Sequence, residues 1–161
     1  MSHLASKSVK VYNFLKKERV IMNLKNDLKE KILEELIEYI PVGKISNLTR
    51  AKIFDEVMKR ESLESTGIGN GIAIPHAKFN TLGGFYIVVG ISKKGVDFAA
   101  IDGKPVHIIF LVVSDTKEKI LYIRILARIA RLLHNKSFNE KLLKQTTEND
   151  VINFIKKYET F

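Results

Sequence analysis

The residues best suited to chemistry lie between Arg60 and Ala77, a stretch that reads RESLESTGIGNGIAIPHA. His76 follows Pro75 and a short apolar run, Ile72-Ala73-Ile74. Proline fixes its own φ and restricts the residue before it, so the imidazole leaves the chain from a rigid mount. Gly67, Gly69 and Gly71 free the preceding loop to take unusual dihedrals and to bring backbone N–H groups close to an anion. Ser65 and Thr66 offer hydroxyl donors, and Arg60 offers a planar guanidinium that can engage two phosphoryl oxygens. A nitrogen nucleophile, a cation and a donor loop are the parts that reversible phosphoryl transfer to an imidazole needs. One ring nitrogen attacks while a hydrogen bond to the other keeps the attacker unprotonated, and the cation and donors neutralise the equatorial oxygens. Singly, each residue has a plainer explanation: a polar strand end, a glycine turn, or an arginine favoured at a helix C-terminus. Their combination carries the reading.

The elements that must position these residues follow from apolar periodicity. Val20–Leu24 suits a short strand. Asp27 with Glu30 has the spacing of a capping box, after which Leu28, Ile32, Leu36, Ile37 and Ile40 recur at helical spacing, with Pro41 marking the exit. A second helix is expected from Asn47 through Arg60, burying Leu48, Ala51, Phe54 and Met58. Ser62 to Gly71 reads as a loop. Phe85–Ser92 and Val106–Val113 read as buried strands, punctuated by turns at Gly83–Gly84 and Asp102–Gly103. From Lys117 onward the chain reads as three helices, with starts near Ser137/Glu140 and Thr147/Asp150. The order β-α-α-β-β-β-α-α-α implies an α/β three-layer sandwich, a mixed sheet with helices on both faces. Residues 1–11 read as a flexible N-terminal extension and residues 12–161 as one domain.

Composition narrows the function classes. The chain has 161 residues, 45% apolar and 28% charged, enough for a core without staples. It has no cysteine, which excludes disulfides, thiolate metal sites and cysteine nucleophiles. No apolar run reaches the roughly 18 residues of a membrane span, and the N-terminus lacks a signal-peptide core, so membrane insertion is not expected and a cytoplasmic location is. The net charge of +9 is spread along the chain, which fits solubility better than a nucleic-acid partner. Arg124, Arg128 and Arg131 fall opposite the apolar face of their helix and read as a solvated or partner-facing stripe. His3 sits in the tail, His134 near a helix end, and His107 at a strand start as an edge or surface residue. No His, Asp or Glu pair has a metal-ligand spacing, and no cofactor is expected.

The run STGIGNGIAIPHA resembles the phosphorylation-site signature of the type-2 EIIA family (mannitol/fructose type) of the sugar phosphotransferase system. The resemblance extends over roughly residues 12 to 158, including DFAAIDGKPV from Asp97 to Val106. It implies a mixed sheet sandwiched by helices, a phosphoryl acceptor at His76 and a catalytic arginine at Arg60. Ser65, Thr66, Gly67, Gly69 and Asn70 then become candidate phosphoryl-binding or rim residues. Many members carry a second histidine at the start of the helix after the last strand, a position that falls on Tyr122. Ile125, Leu126, Ile129 and Leu133 surround the direction of Tyr122 on a helical wheel, so it should point toward the body of the domain.

The resemblance implies a phosphotransferase with a histidine-containing phosphocarrier protein as donor. Its stand-alone length and the run GIGNGIAIPHAK suit the nitrogen-regulatory branch, in which phosphorylation changes which target proteins are bound. The alternative is a fructose- or mannitol-specific EIIA passing phosphate to an EIIB domain. A nucleic-acid-binding protein is the remaining, weaker reading.

Overall fold

The computed structural model describes residues 9–41, 47–80 and 82–160. The expectations for residues 1–8, including His3, and for the Leu48 side chain lie outside the described residues. The elements are β1 (Val20–Ile21), α1 (Lys29–Ile37), α2 (Asn47–Leu63), β2 (Gly67–Gly69), β3 (Ile72–Ala73), β4 (His76–Phe79), β5 (Phe85–Val96), β6 (Val106–Asp115), α3 (Lys119–Leu133), α4 (Lys136–Leu143) and α5 (Glu148–Glu159). Short 3₁₀ turns cover Val11–Phe14, Lys17–Arg19 and Thr116–Glu118.

The sheet is mixed, in the order β1-β5-β6-β3-β2, with β4 also on β6. Its centre is the antiparallel pair β5–β6, in register at Val88↔Leu111 and Gly90↔Ile109. Both strands are nearly continuous apolar runs because helices cover both faces. Ile87, Val89, Ile91, Ile108, Phe110 and Val112 face one core with Ile125, Ile129, Phe138 and Val151. Val88, Ile109, Leu111 and Val113 face the other with Leu33, Leu36, Ile53 and Val57. Each fully buried aliphatic contributes about 1.5–3 kcal/mol to folding. Helix α1 lies so close to the sheet that a Cβ on Gly90 would sit 2.8 Å from Leu36 Cδ2.

Several local expectations need correction. Two further strands appear, β2 inside the expected loop and β4 after Pro75. Helix α1 has no side-chain cap: Leu28 precedes it, is itself exposed, and bridges through its backbone to Asp97. Helix α4 is capped by Asn135, whose Oδ1 accepts from Phe138 N, rather than by Ser137. At α5 Thr147 Oγ1 does accept from Asp150 N. Helix α2 runs past Arg60 to Leu63, and its buried face is Ile53, Val57 and Glu61; Ala51 is exposed and Phe54 and Met58 are half-buried. His107 is half-buried within β6, with Nδ1 2.8 Å from Ser92 O. The packed chain begins before residue 12: Val11 is buried, and its N–H donates to Glu159 Oε2. Arg128 is not on a solvated stripe, since its Nε pairs with that same carboxylate at 2.7 Å.

Candidate functional site

His76 owes its place to an interrupted strand. Ile72 and Ala73 pair with Ile108 and Ile109 on β6, and His76 to Phe79 pair with Val112 to Asp115. The offset between partners is the same before and after the gap, so β3 and β4 form one line along β6. The break is at Pro75, which has no N–H to donate but whose carbonyl accepts from Val112 N at 3.0 Å. Because the register is unbroken, Ile74, His76 and Lys78 share one face and Ala73, Ala77 and Phe79 the other.

The His76 ring is fixed by its backbone. Nδ1 lies 2.7 Å from Ile74 O. A carbonyl only accepts, so Nδ1 carries the proton and Nε2 keeps its lone pair. Burial is the main influence that lowers the imidazole pKa below its ordinary 6.5; Arg60 also lowers it, while the Ile74 bond and Glu61 act in the opposite sense. The ring is therefore neutral at pH 7, with Nε2 available as a nucleophile.

A cleft of about 290 Å³ opens beside the ring, lined by Arg60, Glu64, Ser65, Thr66, Ile68, Ile74, Ile101, Leu126 and Ala130. Arg60 comes from the last turn of α2, with Nη1 donating to Glu64 O at 2.7 Å. Next to it, and absent from the sequence reading, is Glu61. Its side chain is 1% exposed and pairs with Lys29 Nζ at 3.1 Å. It also accepts from Thr66 N at 2.8 Å and from Thr66 Oγ1 at 2.6 Å. The signal for it was its position, four residues after Val57 and eight after Ile53 on the buried phase of α2.

These bonds give the loop hydroxyls other partners than an anion. The Thr66 hydroxyl donates to Glu61, and Ser65 Oγ donates to Phe98 O while accepting from Gly67 N. Gly67 is needed for close approach: a Cβ there would meet Ala100 Cβ at 2.9 Å. Gly69 and Asn70 form the β2–β3 turn, with φ of 98° and 57°. Asn70 N donates to Asp102 Oδ2, and neither residue lines the cleft.

Tyr122, on α3, is buried, and its ring meets the His76 ring edge-on with centroids 5.9 Å apart. Leu126 and Ala130 continue the same helical stripe along the cleft. Burial pushes the Tyr122 phenol up to about 12, against a smaller opposing effect of Arg60, so it stays protonated. Among the described residues no three His, Asp or Glu side chains cluster as a metal site requires, and no helix is long and apolar enough to cross a membrane.

The mixed sheet between helices is a fold found in known proteins. The sequence profile described as "Phosphoenolpyruvate-dependent sugar phosphotransferase system, EIIA 2" matches residues 13–158. The chain belongs to this family and is a type-2 EIIA phosphoryl carrier. The fructose-specific EIIABC component of Bacillus subtilis is 31% identical over 152 residues, which are 94% of this chain but 24% of that protein. The nitrogen regulatory protein of Bradyrhizobium diazoefficiens is 30% identical over 125 residues, 78% of this chain and 80% of that one. The crystal structure of the nitrogen regulatory protein IIA-Ntr from Neisseria meningitidis superposes with a TM-score of 0.82 at 25% identity, covering 90% of this chain and 98% of that one. Escherichia coli IIA mannitol, at 19% identity and a TM-score of 0.69, shares the fold.

Proposed function

We propose that the protein carries its phosphoryl group on Nε2 of His76, accepts it from the phosphohistidine of a histidine-containing phosphocarrier protein, and serves as a nitrogen-regulatory-type EIIA. The observation that carries this reading is the Nδ1–Ile74 O bond, which leaves Nε2 as the nucleophile beside Arg60. The Nε2 lone pair attacks phosphorus, forming the new N–P bond. The donor's N–P bond breaks, and its electron pair returns to the donor imidazole. Positive charge develops on the His76 ring as it leaves the donor ring, and the Nδ1–H bond to Ile74 O strengthens with it. Arg60 balances the phosphoryl oxygens.

The regulatory branch is supported by the similarity to the Bradyrhizobium and Neisseria proteins. The second reading, a sugar-specific EIIA that passes the group to an EIIB domain, is supported by the 31% identity to the fructose-specific component. Incubation with a phosphorylated carrier should give an acid-labile, base-stable label on His76 and none in His76→Ala. Full labelling of that variant overturns the assignment. Chasing the label with an EIIB domain separates the branches: rapid loss to the EIIB cysteine favours sugar transport, and retention favours regulation.

A further inference from the structure

We propose that Lys78 is a second cation of the phosphoryl site, moving from the Tyr122 ring onto an oxygen of the group carried by His76. The proposal rests on the reading of His76 as the phosphoryl acceptor. Topology supplies the first argument. The unbroken register of β3 and β4 on β6 puts His76 and Lys78 on one face of the strand line. Alternate strand residues lie about 6.6 Å apart, a distance the four-carbon lysine stem can cover.

Tyr122 supplies the second argument. Its ring centroid is 5.9 Å from that of His76 and 5.6 Å from Lys78 Nζ. The ammonium and the imidazole therefore lean on the same ring, and the ring keeps the cation beside the site without neutralising it.

The third argument is availability. Among the described residues Lys78 is in no ion pair, and it is exposed on a strand that pairs only with β6. Lys52 and Glu56 share a groove with Lys78, yet Glu56 does not pair with it. Arg60, which lines the cleft with His76, is partly held by Glu64 O. An incoming phosphoryl dianion thus meets one oriented guanidinium and one mobile ammonium.

The test compares wild type, Lys78→Gln, Lys78→Arg and Lys52→Gln in single-turnover transfer from the phosphorylated carrier, at limiting and saturating carrier, with melting temperatures. Lys78→Gln should slow the saturated transfer step about tenfold, below the hundredfold or more of a fully preorganised donor. Its melting temperature should stay that of wild type, and Lys78→Arg should recover most of the rate. Lys52→Gln makes the same charge change in the same groove and should leave the saturated rate alone. A normal saturated rate for Lys78→Gln overturns the proposal. So does an equal loss in Lys52→Gln, which would reduce Lys78 to long-range attraction of the carrier. Mapping the label separates the two claims: label off His76 sinks the acceptor assignment, whereas label on His76 with normal Lys78→Gln transfer sinks only this inference.

Discussion

Two glutamates are buried in the molecule, Glu61 beside the cleft and Glu159 at the end of α5. Their local chemistry is nearly the same. Each lies in the last turn of a helix on its buried phase and accepts two hydrogen bonds from one short segment. Glu61 takes Thr66 N and Oγ1; Glu159 takes Val11 N and Tyr12 N. Each also meets one cation, and here they differ. Glu159 is paired directly with Arg128, whereas Glu61 is neutralised by Lys29 while its neighbour Arg60 faces His76. A buried carboxylate must be compensated wherever it sits. At the clamp the arginine does this work. At the cleft a lysine from another helix does it, and the arginine is left for an anion.

The sharpest way to break this comparison is to remove the carboxylates. Glu61→Ala strands two buried donors and Lys29, and Glu159→Ala strands two backbone donors and Arg128. Each should cost about 3–5 kcal/mol of stability. Only Glu61→Ala should also slow phosphoryl acceptance, because Thr66 is part of the cleft wall. Denaturant unfolding paired with single-turnover transfer checks this. A rate loss in folded Glu159→Ala equal to that in Glu61→Ala would show that both act through global stability.

The arginines should divide the other way. Arg60→Ala removes a charged donor facing the phosphoryl site and should slow transfer about a hundredfold, roughly 3 kcal/mol in the transition state. Its effect on stability, as a cation at a helix end, should stay below about 1 kcal/mol. Arg128→Ala should lower stability by about 2 kcal/mol, the worth of a hydrogen bond to a buried charge, at an unchanged transfer rate. Melting temperatures and rates for the two variants measure the contrast directly, and a destabilised Arg60→Ala with normal transfer would make Arg60 structural.

A smaller effect reads the electrostatics of the cleft alone. The His76 pKa lies below 6.5, chiefly through burial and secondarily through Arg60. Between that lowered value and 6.5 the unfolded chain binds more protons than the folded one. The His76 contribution to stability is therefore full above 6.5 and is lost as pH falls through this window. Transfer needs a neutral Nε2, so it should persist slightly below 6.5 and then decline. An NMR titration should give a midpoint below 6.5, moving up in Arg60→Ala and further down in Glu61→Ala. A wild-type midpoint at or above 6.5 would mean that the ring is solvated rather than half-buried.

The contrast between the glutamates also marks where the sequence was legible. The central strands stood out because β5 and β6 are buried on both faces and so are apolar throughout. The proline-histidine pair and the arginine upstream picked out two of the residues that line the cleft, His76 and Arg60. The phase of α2 did not stand out. Glu61 sits where the apolar stripe should continue, so Phe54 and Met58, on its flank, looked like the core face. Strand β4 was hidden because Pro75 interrupts the ladder and His76 and Lys78 make one of its faces polar. The starts at Leu28 and Asn135 depend on tertiary pairing and on a two-residue shift that short polar motifs do not encode. Nothing in the sequence marked Glu159, because its partners, Val11 and Tyr12, are far away along the chain.

The smallest expected effect belongs to Tyr122. Its phenol is pushed up to about 12 and so can donate a hydrogen bond without changing charge in the working range. Tyr122→Phe keeps the ring against His76 and beneath Lys78 and removes only the hydroxyl. A twofold to fivefold loss of transfer rate is expected, about 0.4–1 kcal/mol, in the range of one neutral hydrogen bond. Stability should change by less than about 0.5 kcal/mol, since the packing surface is retained. Tyr122→His should keep phosphorylation on His76 and speed it under mildly acidic conditions, where an imidazolium would add positive charge beside the phosphoryl group. The measurement is the single-turnover rate of the three proteins at two pH values, with melting temperatures alongside. If Tyr122→Phe transfers like wild type and Tyr122→His only lowers the melting temperature, the phenol fills the core and donates nothing to the site.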